Sequence, residues 1–340
     1  MKTPLPLAFA VPLLAAIGLG AAGCSRNEST PPPAAAAPAA GLPRPAAGEF
    51  SVMTFNLNQY ALADRDGQAD TLEPKPPEET RAIVEAIGQA APDILAVQEM
   101  GDPAAWAEFK LALREAGLDY GHEKYLRIGK GDLNTAVLSR FPIVADRSHV
   151  DDTYTIGPEQ FSVLRGIIDV EIDVAPAYRL RLMVAHLKSK VFHAFGQAEM
   201  RRNEARLLGN HVRAALAENP AVNLLVVGDF NDDPSSAPLR EIHTYKDKRL
   251  LHDLRPADAS GDAWTRREND DRCDRSDYML AGDGLLPEAI PAKTGVARSL
   301  PLARASDHRP LVATFVAAER GPEAAPDLTR GLLPDIPQND

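Results

Sequence analysis

Residues 223–233 read NLLVVGDFNDD, an apolar, β-branched run that ends at Gly228 and passes straight into Asp229, Asn231, Asp232 and Asp233. A short apolar run bounded by polar turn residues reads as a buried strand, which puts Asp229 at that strand's carboxyl end. The same arrangement recurs along the chain. Asn56 follows FSVMTF (50–55), Glu99 follows DILAVQ (93–98), and His186 closes LRLMVAH (180–186). Asp277 and the Asp307-His308 pair come just before YMLA (278–281) and PLVATF (310–315). If those two strands run antiparallel to the others, their starts share one rim with the others' ends. Open α/β sheets bind ligands outside the carboxyl ends of their strands, so six separate segments would deliver acids, imidazoles and amides to one edge.

Further strand-like runs are NTAVLS (134–139) and GIIDVEIDV (166–174). Helical patterns cover 78–90, 104–117, 197–218 and 236–243; in the third, Met200, Leu207, Leu208, Val212 and Leu216 keep helical spacing. Two connections are long enough for helical crossovers, so the expected fold is α/β, with two sheets packed together and helices outside. Taken singly, each polar residue has a structural explanation. Asn56 begins a turn, Asp233 caps a helix, His186 is a core histidine and Asp307 helps the chain turn. The coincidence of all six segments is what points to a site.

The 340-residue chain is 44% hydrophobic and 25% charged with a formal net charge of -11. That size buries a core without disulfides, and no internal repeat is visible. Whole-chain acidity weighs against binding nucleic acid through a broad cationic surface, although Arg201-Arg202 could form a local basic stripe. Residues 1–24 combine Lys2 with an apolar stretch ending in Ala-Gly-Cys24, the pattern of an export signal. Their prolines and glycines make a poor membrane-spanning helix. Ala21-Ala22-Gly23-Cys24 resembles a lipoprotein lipobox, with Ala21 where Leu is usual. The expected location is therefore outside the inner membrane, lipid-anchored through Cys24, with plain secretion as the alternative. Acylated Cys24 leaves Cys273 no second thiol, so no disulfide is expected. Residues 25–48 are a Pro/Ala-rich linker, 49–318 one catalytic domain, and 319–340 a loosely ordered tail.

Together TFN (54–56), PDILAVQE (92–99), HLKS (186–189), GDFN (228–231), SDYML (276–280) and SDHRP (306–310) resemble the endonuclease/exonuclease/phosphatase family. The resemblance implies a four-layer α/β sandwich and a metal-dependent phosphoric ester hydrolase. It also implies Mg²⁺, with Mn²⁺ or Ca²⁺ as alternatives, held by Glu99 with Asn56 and Asp307. Asp229 would position or deprotonate water, Asn231 would hydrogen-bond phosphate or water, and Asp277 would orient His308. His186 would act near the leaving group, and Arg165 and Lys188 would contact phosphate. Whether Asp229 or His308 is the base stays open. The chemistry needs such groups: an in-line water, neutralised phosphoryl oxygens and a hard cation that prefers carboxylates.

Nucleic acid is the leading substrate, with Lys188, Lys190, Arg201 and Arg202 available to a phosphate backbone. A phosphatase or phospholipase is the alternative. Sphingomyelinase-like members expose an aromatic membrane-entry element, and a chain with 6% aromatic residues and two Trp shows no such run. A non-catalytic binding lipoprotein is a third class, which the presence of Glu99, Asp229 and His308 disfavours. No obligate protein partner is evident.

Overall fold

Alternate residues of the strand Glu49–Tyr60 enter two different apolar layers: Val52 joins the core between the sheets, and Met53 joins a core beneath helices. Leu225 and Val227 of the strand Leu224–Asp229 likewise face the central core, while Leu224 and Val226 face a second helical layer. Strand side chains alternate between faces. Burial of both faces is why these strands read as unbroken apolar runs. The result is the expected α/β fold of four layers. Helices Pro77–Ala90 and Pro103–Glu115 cover one six-stranded sheet, and Gln197–Glu218 and Ala237–His243 cover the other.

The computed structural model describes residues 42–65, 67, 71–129, 133–268, 272–297 and 305–328. The export segment 1–24 with Cys24, most of the 25–48 linker and residues 329–340 lie outside the described residues. Among the described residues no helix is long and apolar enough to cross a membrane.

Each sheet has one parallel pair at its centre. Glu49–Tyr60 lies parallel to Ile94–Met100 across the crossover helix Pro77–Ala90, and Tyr178–His186 lies parallel to Leu224–Asp229 across Gln197–Glu218. The strands Asp277–Gly282 and Leu311–Val316 run antiparallel to their neighbours, with Asp229 opposite Asp277 and Thr54 opposite Leu311. That orientation is what the shared rim required.

Some edges were not legible in the sequence. His122–Leu126 and Ile143–Asp146 close one side of each sheet, and Thr153–Ile156 pairs with Glu159–Ser162 as a hairpin. These strands are short, polar and half-exposed, as edge strands are. Contacts also reach beyond 49–318 on both sides. Leu42 packs on the first helical core, Arg44 donates to the Gly88 carbonyl, and Arg320 N donates to the buried Glu288. Leu328 packs against the central core, so the tail is seated at least that far.

Gly228 occupies the tightest approach at the rim. Its φ is +135°, and a Cβ there would meet the Ala185 carbonyl oxygen at 1.9 Å. Backbone on a neighbouring strand cannot yield as a side-chain tip does, and the φ itself is strained for any L side chain. Gly228→Ala is expected to cost about 3 kcal/mol, read as a lower urea midpoint at unchanged slope. An unshifted midpoint would contradict this packing.

Candidate active site

The first parallel pair breaks register at the rim: Asn56 opposes Gln98, but Tyr60 opposes Met100. Asn58, Gln59 and Glu99 take positive φ within this bulge, at +48°, +55° and +62°. Bulges re-aim side chains at sheet ends, and three non-glycine residues in the left-handed region are held only by strong local bonding. Here Gln59 N donates to Glu99 Oε2 at 2.8 Å, and Asn58 N donates to Asn56 Oδ1 at 3.0 Å. Asn56, fully buried, donates from Nδ2 to Glu99 Oε1 at 3.1 Å and to Asp229 Oδ2 at 3.0 Å. Asp229 also receives Asn231 N at 2.9 Å and Asn231 Nδ2 at 3.1 Å, and Asn231 itself sits at φ +56°.

Two histidines close the other side. His308 Nδ1 is 2.8 Å from Asp277 Oδ2, leaving Nε2 3.8 Å from Asp229 and 3.9 Å from Asp307. Burial opposes charge on His308, but Asp277 and then Asp229 outweigh it and raise its pKa to about 10. His186 has Nε2 3.5 Å from Asp229 and 3.8 Å from Glu99, while Nδ1 is buried without a hydrogen-bond partner. Burial first, then Arg165 and His308, push its pKa well below the ordinary value, so it is neutral. Burial also raises Asp229 to about 7, with the neighbouring Asp277 and Glu99 adding to the effect.

The structure therefore brings Asn56, Glu99, His186, Asp229, Asn231, Asp277 and His308 into one network. Asp307 joins it through His308 and lies 3.4 Å from Arg266 Nε. Arg165 stands beside His186, its Nη1 donating to the His186 and Leu187 carbonyls at 3.5 and 3.2 Å. The basic stripe is not presented as the sequence reading required. Lys188 Nζ bonds Ser189 and the Val191 carbonyl, Lys190 pairs with Asp274, Arg201 with Asp232 and Arg202 with Glu241. Lys188, Lys190 and Arg201 hold the loop after His186 in place, while Arg202 ties its helix to Ala237–His243.

Several residues escaped the sequence reading. Glu204, buried in the helix Gln197–Glu218, accepts Lys188 N at 2.6 Å and is raised to about 7 by burial. Ser306 donates to the Asn56 carbonyl and receives His308 N, tying the two rim segments together. Thr265 Oγ1 receives Ser276 N and Asp277 N, each at 3.0 Å. Ser276 and Ser306 do carry a signal, since both rim acids of the second half are preceded by serine.

The donor set suits a hard divalent cation. Glu99 and Asp307 offer partly exposed carboxylates, 17% and 34% accessible, while Asn56, expected among the ligands, turns its Nδ2 to Glu99 and its oxygen to Asn58 N and so supports Glu99. Both carboxylates are oxygen ligands of the kind Mg²⁺ prefers. Burial raises Asp229 most, and the neighbouring Asp277 and Glu99 add to it, a repulsion that a cation relieves. Asp229, Asp277 and His308 also bring ligand atoms within 4.8 Å of one another; there Asp277 already engages His308 Nδ1.

The chain matches the model of the Endonuclease/Exonuclease/phosphatase family over residues 53–308. Among solved structures it is similar to truncated TDP2 from Caenorhabditis elegans, with 19% identity over 80% of this chain and 98% of that one, TM-score 0.52. The human Nocturnin catalytic domain with bound sulfate anion shows 18% identity over 80% and 95%, TM-score 0.56. Staphylococcus aureus beta toxin shows 14% identity over 78% and 99%, TM-score 0.56. No curated protein matches the sequence.

The Asp277–His308 pair gives a direct test. In the metal-free chain, imidazole ¹⁵N shifts should report His308 still protonated above neutrality, losing its proton near the raised value of about 10. In Asp277→Asn its pKa should fall to the ordinary imidazole range or below, because burial then acts against fewer stabilising charges. An unchanged titration would show that Asp277 does not hold the charge.

Proposed function

From the premise that the chain belongs to the Endonuclease/Exonuclease/phosphatase family, and so is a divalent-metal-dependent phosphoric ester hydrolase, we propose that it is a Mg²⁺-dependent phosphodiesterase acting on short, unpaired nucleic acid. The observation that carries the reading is the continuous bonded rim from Glu99 through Asn56 to Asp229 and Asn231, with the Asp277–His308 pair beside it.

In this reading Glu99 and Asp307 would hold Mg²⁺, with Asn56 fixing the Glu99 carboxylate, and the cation would neutralise charge on the phosphoryl oxygens when bound. Asp229 orients the attacking water and accepts its proton, because Asn231 and Asn56 fix its carboxylate. His308 is surrounded by Asp229, Asp277 and Asp307 and acts as the cation that grips a non-bridging oxygen. His186 stays neutral near the departing oxygen, and Arg165 holds the chain that carries it.

Nucleic acid is here gripped without a broad cationic groove, since Lys188, Lys190, Arg201 and Arg202 are engaged within the chain. The loop after His186 instead exposes apolar side chains: Val191 is 71%, Phe192 82% and Phe195 44% accessible, and Leu164, next to Arg165, 60%. A sequence with 6% aromatic residues gives no sign of this ledge, because Phe192 and Phe195 stand singly in a polar loop. Unpaired bases stack on aromatic rings for about 1–3 kcal/mol each. The same ledge favours a second reading, a phospholipid diester whose acyl region meets Val191 and Phe192.

Glu99→Gln, or EDTA added to the native chain, should lower turnover of bis(4-nitrophenyl) phosphate and of a short single-stranded oligonucleotide by about 10²-fold or more. Full activity in either case would sink the metal-site assignment. Phe192→Ser should raise KM for the oligonucleotide about tenfold, as expected for one lost stacking contact, and leave the small diester unchanged. If oligonucleotide KM holds while hydrolysis of phosphatidylcholine vesicles falls, the phospholipid reading replaces the first.

A further inference from the structure

We propose that a cleft on the outer face of the second sheet, between the helix Ala237–His243 and the strand Asp277–Gly282, is a binding site for a phosphate group, separate from the catalytic rim. The cleft has a volume of about 690 Å³ and is walled by Arg240, Arg249, Arg255 and Arg275 over a floor that includes Leu239 and Tyr278. Four arginines and two histidines, His243 and His252, line it with one acid, Asp253, in a chain whose net charge is -11. That carboxylate, Asp253, is already engaged by Arg275 Nη2 at 2.6 Å. Among the described residues, Arg240, Arg249 and Arg255 have no carboxylate partner. Every Arg of the expected basic stripe, by contrast, is paired.

Arg275 supplies the second observation. Its side chain is only 10% accessible, its guanidinium lies over the Tyr278 ring at 4.7 Å, and its Nε is buried without a hydrogen-bond partner. That unbonded donor is costly, and it lies in a guanidinium already fixed at the cleft wall by Asp253 and the Tyr278 ring. Like charges gathered in a concave wall repel one another and raise the local concentration of anions. Guanidinium forks match phosphate oxygens two at a time.

The cleft is distinct from the catalytic rim because adjacent residues of a strand point to opposite faces. Asp277 joins the rim, whereas Tyr278 stacks on Phe230 in the outer core and places its Oη 2.7 Å from the Asp232 carbonyl. The loop 230–235 thus separates the two. A phosphate reaches the cleft from one of two sources: a second phosphate of the strand being cut, or a free phosphate group. Both share the chemistry, and the test tells them apart.

The probes are inorganic phosphate and a 5′-phosphorylated tetranucleotide, titrated calorimetrically into the full chain in EDTA, so that failure of the metal-centre reading has no bearing on the result. Phosphate should bind the native chain, and the double variant Arg249→Gln/Arg255→Gln, which changes two exposed side chains, should bind it about tenfold or more weakly with unaltered melting. The Arg275 Nε–H resonance of the native chain should shift on phosphate addition, which locates the site without any substitution. In a separate assay with Mg²⁺ in place of EDTA, a KM for the tetranucleotide that rises in the double variant assigns the cleft to the substrate strand; an unchanged KM with phosphate binding lost assigns it to a free phosphate. Absence of phosphate binding, equal affinity in the double variant, or an unmoved Arg275 resonance would each overturn the proposal.

Discussion

Asn56 joins the two sheets through one buried side-chain amide. Its two N–H groups go to different carboxylates, Glu99 on its own sheet and Asp229 on the other, and its oxygen accepts Asn58 N. An aspartate in its place would add a negative charge between two others, and a leucine would leave both carboxylate oxygens short of a donor. The amide is neutral, and its fixed geometry sets the separation of the two acids. The bulge at residues 57–59 follows from the same need. Regular pairing would carry the Glu99 side chain to a face dictated by the pleat, whereas a positive φ at Glu99 turns it back towards Asn56. Backbone strain at the rim is thus offset by hydrogen bonds that exist only when both sheets are in place.

That coupling explains why the charges at the rim differ so widely in state. Asp229 and His308 are both deeply buried, yet one is pushed towards neutrality and the other towards charge. Burial penalises both; the difference lies in their partners. Asp229 has acids near it and amide donors on it, while His308 has acids on three sides. His186 receives no comparable support, so desolvation and its cationic neighbours leave it uncharged. Two histidines a few ångströms apart can therefore offer a positive and a neutral ring at the same pH.

The central strands and their terminal polar residues were legible in the sequence because each strand is buried on both faces. A run such as LLVVG followed by Asp229 has no other economical explanation. The edge strands His122–Leu126 and Ile143–Asp146 were not, since half-exposed alternation of charged residues resembles a loop. The contacts outside 49–318 carry no signal for a related reason: Leu42 and Leu328 are single anchors in Pro/Ala-rich stretches, and one apolar residue makes no pattern. At the site, residue type marked Glu99, Asp229 and His308, but the partners that hold them did not stand out. Glu204 lies in the middle of a helix, and Thr265 lies in a loop with no motif.

Charge on the sequence was the least reliable guide, and the structure supplies the physical reason. A lysine or arginine near a motif is available to a ligand only if nothing in the fold satisfies it first. The loop following His186 leaves its backbone carbonyls without strand partners, and buried carbonyls must be bonded. Arg165, Lys188 and Arg201 take those carbonyls, and Glu204 takes the Lys188 N–H. Those cations are thereby committed to fixing the loop, while its apolar residues from Val191 to Phe195 are left at the surface. In the outer cleft Arg275 is held by Asp253 and Arg240 by the Ser235 carbonyl, while Arg249 and Arg255 make no side-chain hydrogen bond among the described residues.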